Sequence, residues 1–318
     1  SFSIGAVLVG ESAPVYVIAE AGVNHDGATS VARELIHAAA EAGADAVKFQ
    51  VFAAGRLVTR TAPAVAYQQR AVHMDSQYGI LSTLELTHDT FVELAACAKK
   101  CGVEFLATPF SVADLQFLVR IGVRALKIAS PDIVNTPLLD AAARSGLPVI
   151  ASTGAAELEE IAEAVGFFRT AGGGPLALLH CVSSYPTPER EANLRAIGTL
   201  ARSFSSAVGF SDHTESILIG GYAVAAGARM IEKHMTLDRS RTGPDHAFSL
   251  EPAAMAEYIR NIRYAESLLG DGDVTVSPRQ REVRRLSRGS VVAARAIRAG
   301  EILTPDMLTV KRPGTGIR

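Results

Sequence analysis

The chain has 318 residues, of which 48% are apolar and 20% are charged, with 27 glycines and no tryptophan. This composition is typical of a compact globular protein and excludes the disordered, collagen-like and coiled-coil classes. The 31 Lys and Arg residues nearly balance the 33 Asp and Glu residues, so the formal net charge is -2. That balance argues against a broad binding surface for nucleic acid or anionic membranes, but it allows a local basic pocket.

The cysteines and the first residues predict a protein of the reducing cytoplasm. Cys97, Cys101 and Cys181 are too few and too irregularly spaced for a disulfide framework. Cys97 and Cys101 share one face of a predicted helix, where we interpret them as buried small apolar side chains rather than metal ligands. No apolar run reaches the roughly 18 residues that a membrane span needs, and residues 1–10 lack the pattern of a secretion signal.

Eight short apolar runs that follow Gly- or Pro-marked turns are predicted to be strands. They lie at residues 15–21, 44–52, 103–110, 125–130, 148–154, 176–185, 207–214 and 229–236. Segments rich in Ala, Leu and Glu alternate with these runs and are predicted to be helices. The clearest of them lie at residues 30–42, 88–100, 112–121, 136–145 and 157–170.

Strict alternation of strand and helix predicts a parallel sheet, and eight such units in about 250 residues match a TIM (β/α)8 barrel. A doubly wound open sheet is the alternative. It gives no reason for eight units, and no Gly-x-Gly-x-x-Gly turn follows the first predicted strand. The α/β barrel is therefore the predicted fold of residues 1–270.

The C-terminal region differs in composition from the barrel. Residues 251–270 are predicted to form a last barrel helix, and the polar, Arg-rich residues 271–288 are predicted to be a linker. Residues 289–318 contain short apolar pieces around a turn at Gly300, too small to bury a core of their own.

Polar side chains end every predicted strand, and the active site of a TIM barrel lies at that end of its strands. In strand order they are Glu20, Lys48 and Gln50, Thr108, Lys127 and Ser130, Ser152 and Thr153, His180, Ser183 and Tyr185, Ser211, Asp212 and His213, and Glu232, Lys233 and His234. A single residue of this kind is more often a structural group of the core. Eight strands that all end in polar groups favour a ligand site, because an empty mouth would carry a large desolvation cost.

The residue types indicate an anionic ligand beside an open metal site. Lys48 and Lys127 supply positive charge and the serines supply short donors, a set suited to a phosphate together with a carboxylate. His213 and His234 end adjacent strands and could share Mn²⁺ or Mg²⁺ with water and substrate oxygens, although spacing alone leaves the metal open. Glu20 is the candidate for proton transfer; whether desolvation or Lys48 dominates its pKa stays open.

The turn at residues 242–246 follows the eighth predicted strand and carries a carboxylate, Asp245, and an imidazole, His246. Such a turn is suited to hydrogen-bonding sugar hydroxyls. It could equally be an ordinary surface loop.

Nine stretches, in order along the chain, resemble the N-acetylneuraminate synthase family, which makes sialic acid and related nonulosonic acids. They read IAEAGVNHDG at 18–27, VKFQ at 47–50, ATPF at 107–110, KIAS at 127–130, STG at 152–154, LHCVSSYPTP at 179–188, GFSDHT at 209–214, EKH at 232–234 and GPDH at 243–246. Residues 290–317 resemble the small antifreeze-like (SAF) domain of that family, of which we expect only the N-terminal part here.

The resemblance implies that phosphoenolpyruvate condenses with an N-acetylated hexosamine and that phosphate is released. The acceptor is open among N-acetylmannosamine, a 2,4-diacetamido hexose and a spore-coat sugar. The choice should lie with Asp132 and with residues 53–84, which match no motif. The implied phosphoenolpyruvate ligands are Lys48, Thr108, Lys127, Ser130, Ser152, Ser183 and Ser211. The implied sugar ligands are Gln50, Tyr185, Asp245 and Arg312.

The resemblance also implies that His213 and His234 hold Mn²⁺ or Mg²⁺ and that Glu20 transfers a proton. Asp132 stands where relatives carry Glu and is the second candidate catalytic carboxylate. Arg312 would come from the small domain of the partner subunit, which makes the expected active unit a homodimer.

Two other functions stay open at this point. A Schiff-base aldolase would use Lys48 or Lys127 as its nucleophile. A non-catalytic sugar-binding protein would keep the barrel and the small domain without turnover.

Overall fold

The computed structural model describes residues 1–11 and 13–317. These residues form two compact units, which divide between Leu269 and Gly270. The first unit holds a short hairpin and a large parallel sheet surrounded by helices. The second unit holds one helix and a small antiparallel sheet.

The strands of the described residues are β1 (Phe2–Ile4), β2 (Val7–Val9), β3 (Tyr16–Gly22), β4 (Ala46–Val51), β5 (Glu104–Pro109), β6 (Leu126–Ile128), β7 (Val149–Ser152), β8 (Leu176–Cys181), β9 (Ala207–Asp212), β10 (Met230–His234), β11 (Ser290–Ala293) and β12 (Leu308–Lys311). The α-helices of the same residues are α1 (Thr29–Ala42), α2 (Ala54–Leu57), α3 (Ala66–Val72), α4 (Gln77–Leu84), α5 (His88–Cys101), α6 (Val112–Ile121), α7 (Thr136–Arg144), α8 (Leu158–Thr170), α9 (Arg195–Phe204), α10 (Ile219–Ala225), α11 (Pro252–Leu269) and α12 (Pro278–Ser287). Short 3-10 helices lie at Ser130–Val134, Glu189–Glu191, His246–Phe248 and Pro305–Met307.

In the described part of the chain, eight parallel strands form one sheet in the order β5-β4-β3-β10-β9-β8-β7-β6. The two outer strands of this order, β5 and β6, also pack against each other, so the sheet curves into a barrel. A helix follows each strand before the next begins, as right-handed parallel connections require. The predicted (β/α)8 barrel and its eight strands are confirmed.

The core has two layers because alternate residues of a strand point to opposite faces. In β3, Val17 and Ala19 belong to the layer between the strands and the helices. Tyr16 and Ile18 belong to the layer inside the barrel, which the β1–β2 hairpin also enters through Val9. Both faces of the strands are therefore buried, which explains why they read as nearly continuous apolar runs.

The helices follow from apolar spacing and from glycine caps. In α1 the buried residues Leu35, Ile36 and Ala39 recur at helical spacing, and Gly43 ends the helix with a positive φ of 87°. Among the described helices, none has both the length and the apolarity that crossing a membrane requires.

Three segments contain elements that were absent from the sequence analysis. The β1–β2 hairpin lies before the first predicted strand, and residues 53–84 contain α2, α3 and α4. The polar segment 271–288 contains α12, which begins with a capping box formed by Ser277 and Gln280. No residue of α12 is buried, so the helix lacks the apolar stripe that a periodicity argument detects.

Candidate active site

At least one polar or thiol side chain from each barrel strand reaches the mouth of the barrel. In β3, Glu20 continues the inward row of Tyr16 and Ile18, and in β10 Glu232 continues the row of Met230. The residues that reach the mouth in this way are Glu20, Lys48, Thr108, Lys127, Ser152, Cys181, Ser211 and Glu232. The pleat of the strands therefore changes the barrel interior from apolar at one end to charged at the other.

Two lysines and two carboxylates form a buried charged cluster at this end. The Lys48 Nζ lies 2.6 Å from Glu20 Oε2 and 3.6 Å from Glu232 Oε2. The Lys127 Nζ donates a hydrogen bond of 3.1 Å to Glu232 Oε1. The Ser211 hydroxyl donates to that same Oε1 at 3.1 Å. Glu232 thus links both ammonium groups.

Burial and the two lysines set the pKa values of the carboxyl groups in opposite directions. Burial raises the pKa of Glu20, although Lys48 opposes this shift. At Glu232 burial acts in the same direction, but Lys127 and Lys48 overcome it and lower its pKa to about 2. Glu232 is therefore a fixed counter-ion at neutral pH, whereas Glu20 is the carboxyl group able to exchange a proton.

Two imidazoles lie next to the charged cluster, with ring centroids 5.4 Å apart. The His213 Nδ1 lies 3.0 Å from the Val182 carbonyl oxygen. A carbonyl can only accept, so Nδ1 carries a proton, and Nε2 is the nitrogen that can bind a metal when the ring is neutral. Burial, and then His213, lower the pKa of His234 well below its usual value. The buried His234 Nδ1 has no hydrogen-bond partner among the described residues.

This donor set fits a divalent cation. Two imidazoles, one of them with an orphaned buried nitrogen, can supply two ligands and leave the other positions to water and substrate oxygens. Asp245 Oδ2 lies 3.8 Å from His234 Nδ1, close enough to add negative charge at the same place. The structure thus supports the metal interpretation of His213 and His234, and the metal itself remains a proposal.

Hydroxyl groups surround Gly154, after the end of β7. The Gly154 N–H donates to Ser130 Oγ at 2.9 Å. A Cβ atom on this glycine would lie 2.3 Å from Ser183 Oγ and 2.9 Å from Ser130 Oγ, so a side chain would fill the space between the two hydroxyls. The Ser152 Oγ is buried with no hydrogen-bond partner among the described residues. Donors without partners around an open space suit an oxyanion ligand.

Amide, carboxyl and aromatic groups lie further out in the mouth. Gln50 Nε2 donates to Glu20 Oε1 at 3.2 Å. A Cβ atom on Gly22 would lie within 3.6 Å of each of Glu20 Oε1, Gln50 Nε2 and Asp245 Oδ2, so these three polar groups surround one open space. Tyr185 stacks on Tyr67 with ring centroids 4.9 Å apart. Polar groups beside an aromatic wall are typical of a sugar site.

All of these groups line one cavity of about 730 Å³. Every residue that the family resemblance assigns to catalysis, phosphoenolpyruvate, sugar or metal lies in its wall, except Arg312. Arg312 follows β12 in the second unit. Asp132 is half-buried, accepts a hydrogen bond of 2.9 Å from Asn135, and has a pKa that burial raises.

Five polar residues predicted at the mouth have structural roles instead. Asp212 and Lys233 point outward and form an ion pair of 2.9 Å, which Tyr258 joins through its hydroxyl. Thr153 donates to the Leu179 carbonyl oxygen, and His180 hydrogen-bonds the Ala192 carbonyl oxygen. The interpretation of these four as mouth residues is wrong because a strand sends only every second side chain inward.

His246 is the fifth correction. Its ring is buried, with Nε2 2.8 Å from Asp26 Oδ1 and Nδ1 2.7 Å from Thr236 Oγ1. Both nitrogens are therefore used inside the protein, and the imidazole holds the loop that carries Asp245. His246 is not available to a sugar.

Some wall residues were missed. The sequence analysis named Glu232 among the residues that end strands but gave it no role. Glu232 and His234 are two residues apart in a predicted strand, a spacing that places both side chains on the same face. Residues 53–84 add a second group, whose only sequence signal is the Ser76 cap of α4, where Ser76 Oγ accepts from the Gly79 N–H. The members of this group that line the cavity with polar or aromatic side chains are Tyr67, Gln68, Arg70 and Gln77.

Known proteins similar to this chain share both its sequence and its fold. The NeuB family matches residues 35–274, and the SAF domain matches residues 288–317. An N,N'-diacetyllegionaminic acid synthase of Legionella pneumophila is 42% identical over 313 residues, which cover 97% of this chain and 88% of the relative. One of Campylobacter jejuni with the same name is 41% identical over 304 residues, or 95% of this chain and 91% of the relative.

A solved structure gives the same result in three dimensions. The crystal structure of N-acetylneuraminic acid (sialic acid) synthetase from Leptospira borgpetersenii, in complex with citrate, matches with a TM-score of 0.81 at 39% identity. The match covers 89% of this chain and 94% of that chain. With the family match over most of its length and relatives above 40% identity, the chain belongs to the NeuB family.

Proposed function

We propose that this chain condenses phosphoenolpyruvate with an N-acetylated hexosamine to give a nonulosonic acid and phosphate. The observation that carries the proposal is the buried cluster of Lys48, Lys127 and Glu232 beside the imidazoles of His213 and His234 in one cavity. Buried ammonium groups suit a multiply charged anion, and the neighbouring imidazoles suit a cation that orients a sugar. Family membership supports the same reaction.

The phosphoenolpyruvate half of the site lies between the lysines and the hydroxyl groups. Lys127, with Ser130, Ser152, Ser183 and Ser211, would hold the phosphate through charge-assisted and neutral hydrogen bonds. Lys48 donates to Thr108 Oγ1 at 3.1 Å, and this pair would hold the carboxylate. Because Lys48 is also paired with Glu20, an arriving carboxylate would compete with Glu20 for the ammonium group.

A divalent cation, Mn²⁺ or Mg²⁺, would be held by His213 and His234. When bound, it would supply Lewis-acid polarisation of the sugar aldehyde. The Val182 carbonyl keeps His213 in the tautomer that presents Nε2, and burial keeps His234 neutral. Asp245 and Gln50 would hydrogen-bond the sugar chain, and Tyr185 would pack against it.

Glu20 would carry the proton. The enol carbon of phosphoenolpyruvate forms a bond to the aldehyde carbon, and the aldehyde oxygen gains a proton to become a hydroxyl group. Water then adds to the cationic carbon that bears the phosphate, and the bond from that carbon to the phosphate oxygen breaks. Burial raises the pKa of Glu20, which suits a group that takes the proton of water and returns it. Asp132, the second candidate catalytic carboxyl group, also lies in the wall.

The acceptor of this chain is proposed to be a 2,4-diacetamido hexose. Two relatives at 41–42% identity are named N,N'-diacetyllegionaminic acid synthases, and a second N-acetyl group needs its own contact. Tyr67 and Gln68 of α3 extend the wall beyond Tyr185 and offer an aromatic face and an amide there. Residues 53–84 would then decide the sugar, as expected from the sequence.

A Schiff-base aldolase fits the site less well. Glu20 and Glu232, acting against burial, raise the pKa of Lys48, so its amine stays charged. Lys127 is bound to Glu232, although burial lowers its pKa. An aldolase would be trapped by borohydride with pyruvate and would ignore chelators, whereas the synthase would show neither behaviour.

The active unit is proposed to be a cytoplasmic homodimer in which Arg312 reaches the sugar of the partner subunit. Arg312 is exposed in its own unit, and Cys97, Cys101 and Cys181 are free thiols, as a reducing compartment requires. Arg312→Ala should raise the KM for the sugar and leave the KM for phosphoenolpyruvate nearly unchanged. Equal losses for both substrates would contradict this role.

Phosphate release is the experiment that tests the reaction. Purified protein receives phosphoenolpyruvate and Mn²⁺ together with N-acetylmannosamine or a 2,4-diacetamido hexose, with and without chelator. We expect release with the diacetamido sugar that chelator abolishes and a product with the mass of the nine-carbon acid. Phosphate release that persists in chelator would contradict the metal assignment. Absence of phosphate release with every sugar would favour the non-catalytic sugar-binding protein.

A further inference from the structure

A second group of metal-ligating side chains lies outside the barrel, where helices α1 and α5 pack against each other. The group consists of His37 on α1 and Cys97 and Cys101 on α5. The ligand atoms of these three residues lie within 4.8 Å of one another. It is the one group of three or more such residues that the described part of the chain brings together.

The distances between these side chains are close to the distances between neighbouring ligand atoms in a metal site. Cys101 Sγ lies 3.4 Å from His37 Nδ1, and Cys97 Sγ lies 3.9 Å from His37 Nε2. In a tetrahedral zinc site, bond lengths of about 2.3 Å to sulfur and 2.0–2.1 Å to nitrogen put neighbouring ligand atoms roughly 3.6–3.8 Å apart. Small rotamer changes would therefore bring both sulfurs and one nitrogen onto one ion.

The accessibility of these residues differs from that expected of structural cysteines. Free cysteine is among the most buried residue types, but Cys97 and Cys101 are only half-buried, and His37 is exposed. Both cysteines pack against the apolar core, as expected from the sequence, but they are only partly buried. The spacing of four residues puts both thiols on one face of α5, facing α1.

A carboxylate lies on the same helix as His37. Glu41 follows His37 by one helical turn and is exposed. Its carboxylate is not one of the ligand atoms that lie within 4.8 Å of one another, so it could reach an ion only after a change of rotamer. Water could occupy the fourth position instead.

We propose that His37, Cys97 and Cys101 form a binding site for a soft divalent cation, zinc above all, between α1 and α5. Thiolate and imidazole ligands favour Zn²⁺ over the hard cations Mn²⁺ and Mg²⁺. The site is separate from the barrel mouth, because Cys101 ends α5 only three residues before β5 begins, whereas Thr108 at the mouth lies near the other end of that strand. An ion there would connect two neighbouring helices and stabilise the folded chain.

Cobalt spectroscopy of the full chain tests this site separately from the barrel. The protein is stripped of metal, kept reduced with a phosphine, and titrated with Co²⁺ while the thiolate-to-cobalt charge-transfer absorption is recorded. We expect one equivalent of this absorption, displaced by Zn²⁺. Cys97→Ser combined with Cys101→Ser should remove it, and His37→Ala should weaken cobalt binding by at least about tenfold.

Cys181→Ser is the matched control, because Cys181 is the third thiol and lies at the barrel mouth, 3.7 Å from His213. This variant should keep the absorption. Absence of the absorption in the unchanged protein, its survival in the double variant, or its loss in Cys181→Ser would each overturn the proposal. Should the double variant not fold, His37→Ala, which changes an exposed side chain, carries the same test.

Thermal unfolding gives a second readout that does not depend on synthase activity. Zn²⁺ should raise the Tm of the unchanged protein and of Cys181→Ser by the same amount, and it should raise the Tm of the double variant less, because that variant keeps only the imidazoles of the barrel mouth. An equal rise in all three proteins would locate the zinc elsewhere and overturn the proposal.

Discussion

The substitution Glu232→Gln tests whether this carboxylate is the counter-ion of both buried lysines. It keeps the shape of the side chain and an acceptor for the Ser211 hydroxyl, but it removes the charge beside Lys127 and Lys48. Removing one partner of a buried ion pair costs about 3–5 kcal/mol, because the other charge is left without compensation.

The structure also gives an upper limit for this cost. Burial already lowers the pKa of Lys127, so without Glu232 this lysine can lose its proton when the protein folds. Deprotonating an ordinary lysine at pH 7 costs about 1.4 kcal/mol for each unit up to its pKa of about 10.4, or roughly 5 kcal/mol. We therefore expect Glu232→Gln to lower the free energy of unfolding by about 3–5 kcal/mol at pH 7.

The pH dependence follows from the same reasoning. A neutral Lys127 in the folded variant means that the unfolded chain binds one more proton, so stability rises with pH by about 1.4 kcal/mol per unit. The loss of unfolding free energy that Glu232→Gln causes should therefore be smaller at pH 9 than at pH 7 by roughly 3 kcal/mol.

Urea unfolding in the presence of chelator measures this penalty. It is followed by circular dichroism, because the chain has no tryptophan. Glu93→Gln is the control: it breaks the exposed pair with Arg33 and should cost less than about 1 kcal/mol at both pH values. A Glu232→Gln penalty below about 1 kcal/mol, or one that does not change with pH, would refute the reasoning.

Three further predictions concern the metal, acid stability and the sugar. His213→Ala and His234→Ala should each lower metal-dependent phosphate release by at least about 100-fold while the fold persists; normal rates with Mn²⁺ would remove the metal assignment. Burial, ahead of the opposing charge of Asp26, lowers the pKa of His25 to about 4, and its Nδ1 accepts the Gly27 N–H. The unfolded chain therefore gains the proton first, and stability should fall by roughly 3 kcal/mol as the pH drops from about 6.5 to 4. His25→Gln should flatten this fall in urea unfolding, and an unchanged slope would contradict it. Tyr67→Ala should raise the KM for the sugar more than the KM for phosphoenolpyruvate; equal effects would place Tyr67 outside the sugar site.

The sequence located most of the cavity wall because its residues end buried strands. Glu20, Lys48 and Lys127 are ionisable groups within apolar runs, which is an unusual and therefore informative position. The same argument overreached at Asp212 and Lys233, because it counted every polar residue at a strand end and did not separate the two faces of the strand.

Other parts of the site left almost no local signal. Tyr67 lies on a helix of seven residues, and its stacking on Tyr185 joins two segments more than 100 residues apart in the sequence. The group of His37, Cys97 and Cys101 also left little local signal. The spacing of the two cysteines shows that they share a helix face, but it does not show which helix packs against that face.

The sequence by itself determined the barrel, the order of its strands and helices, and the polar character of the mouth. These features follow from local apolar periodicity and from glycine caps, which act over a few residues. Only the tertiary structure decided that Glu232 links two lysines, that His246 fastens a loop, and that a histidine faces two cysteines. The reason is physical: the partner of a side chain across a barrel or a helix seam depends on register and closure, which join residues far apart in the chain.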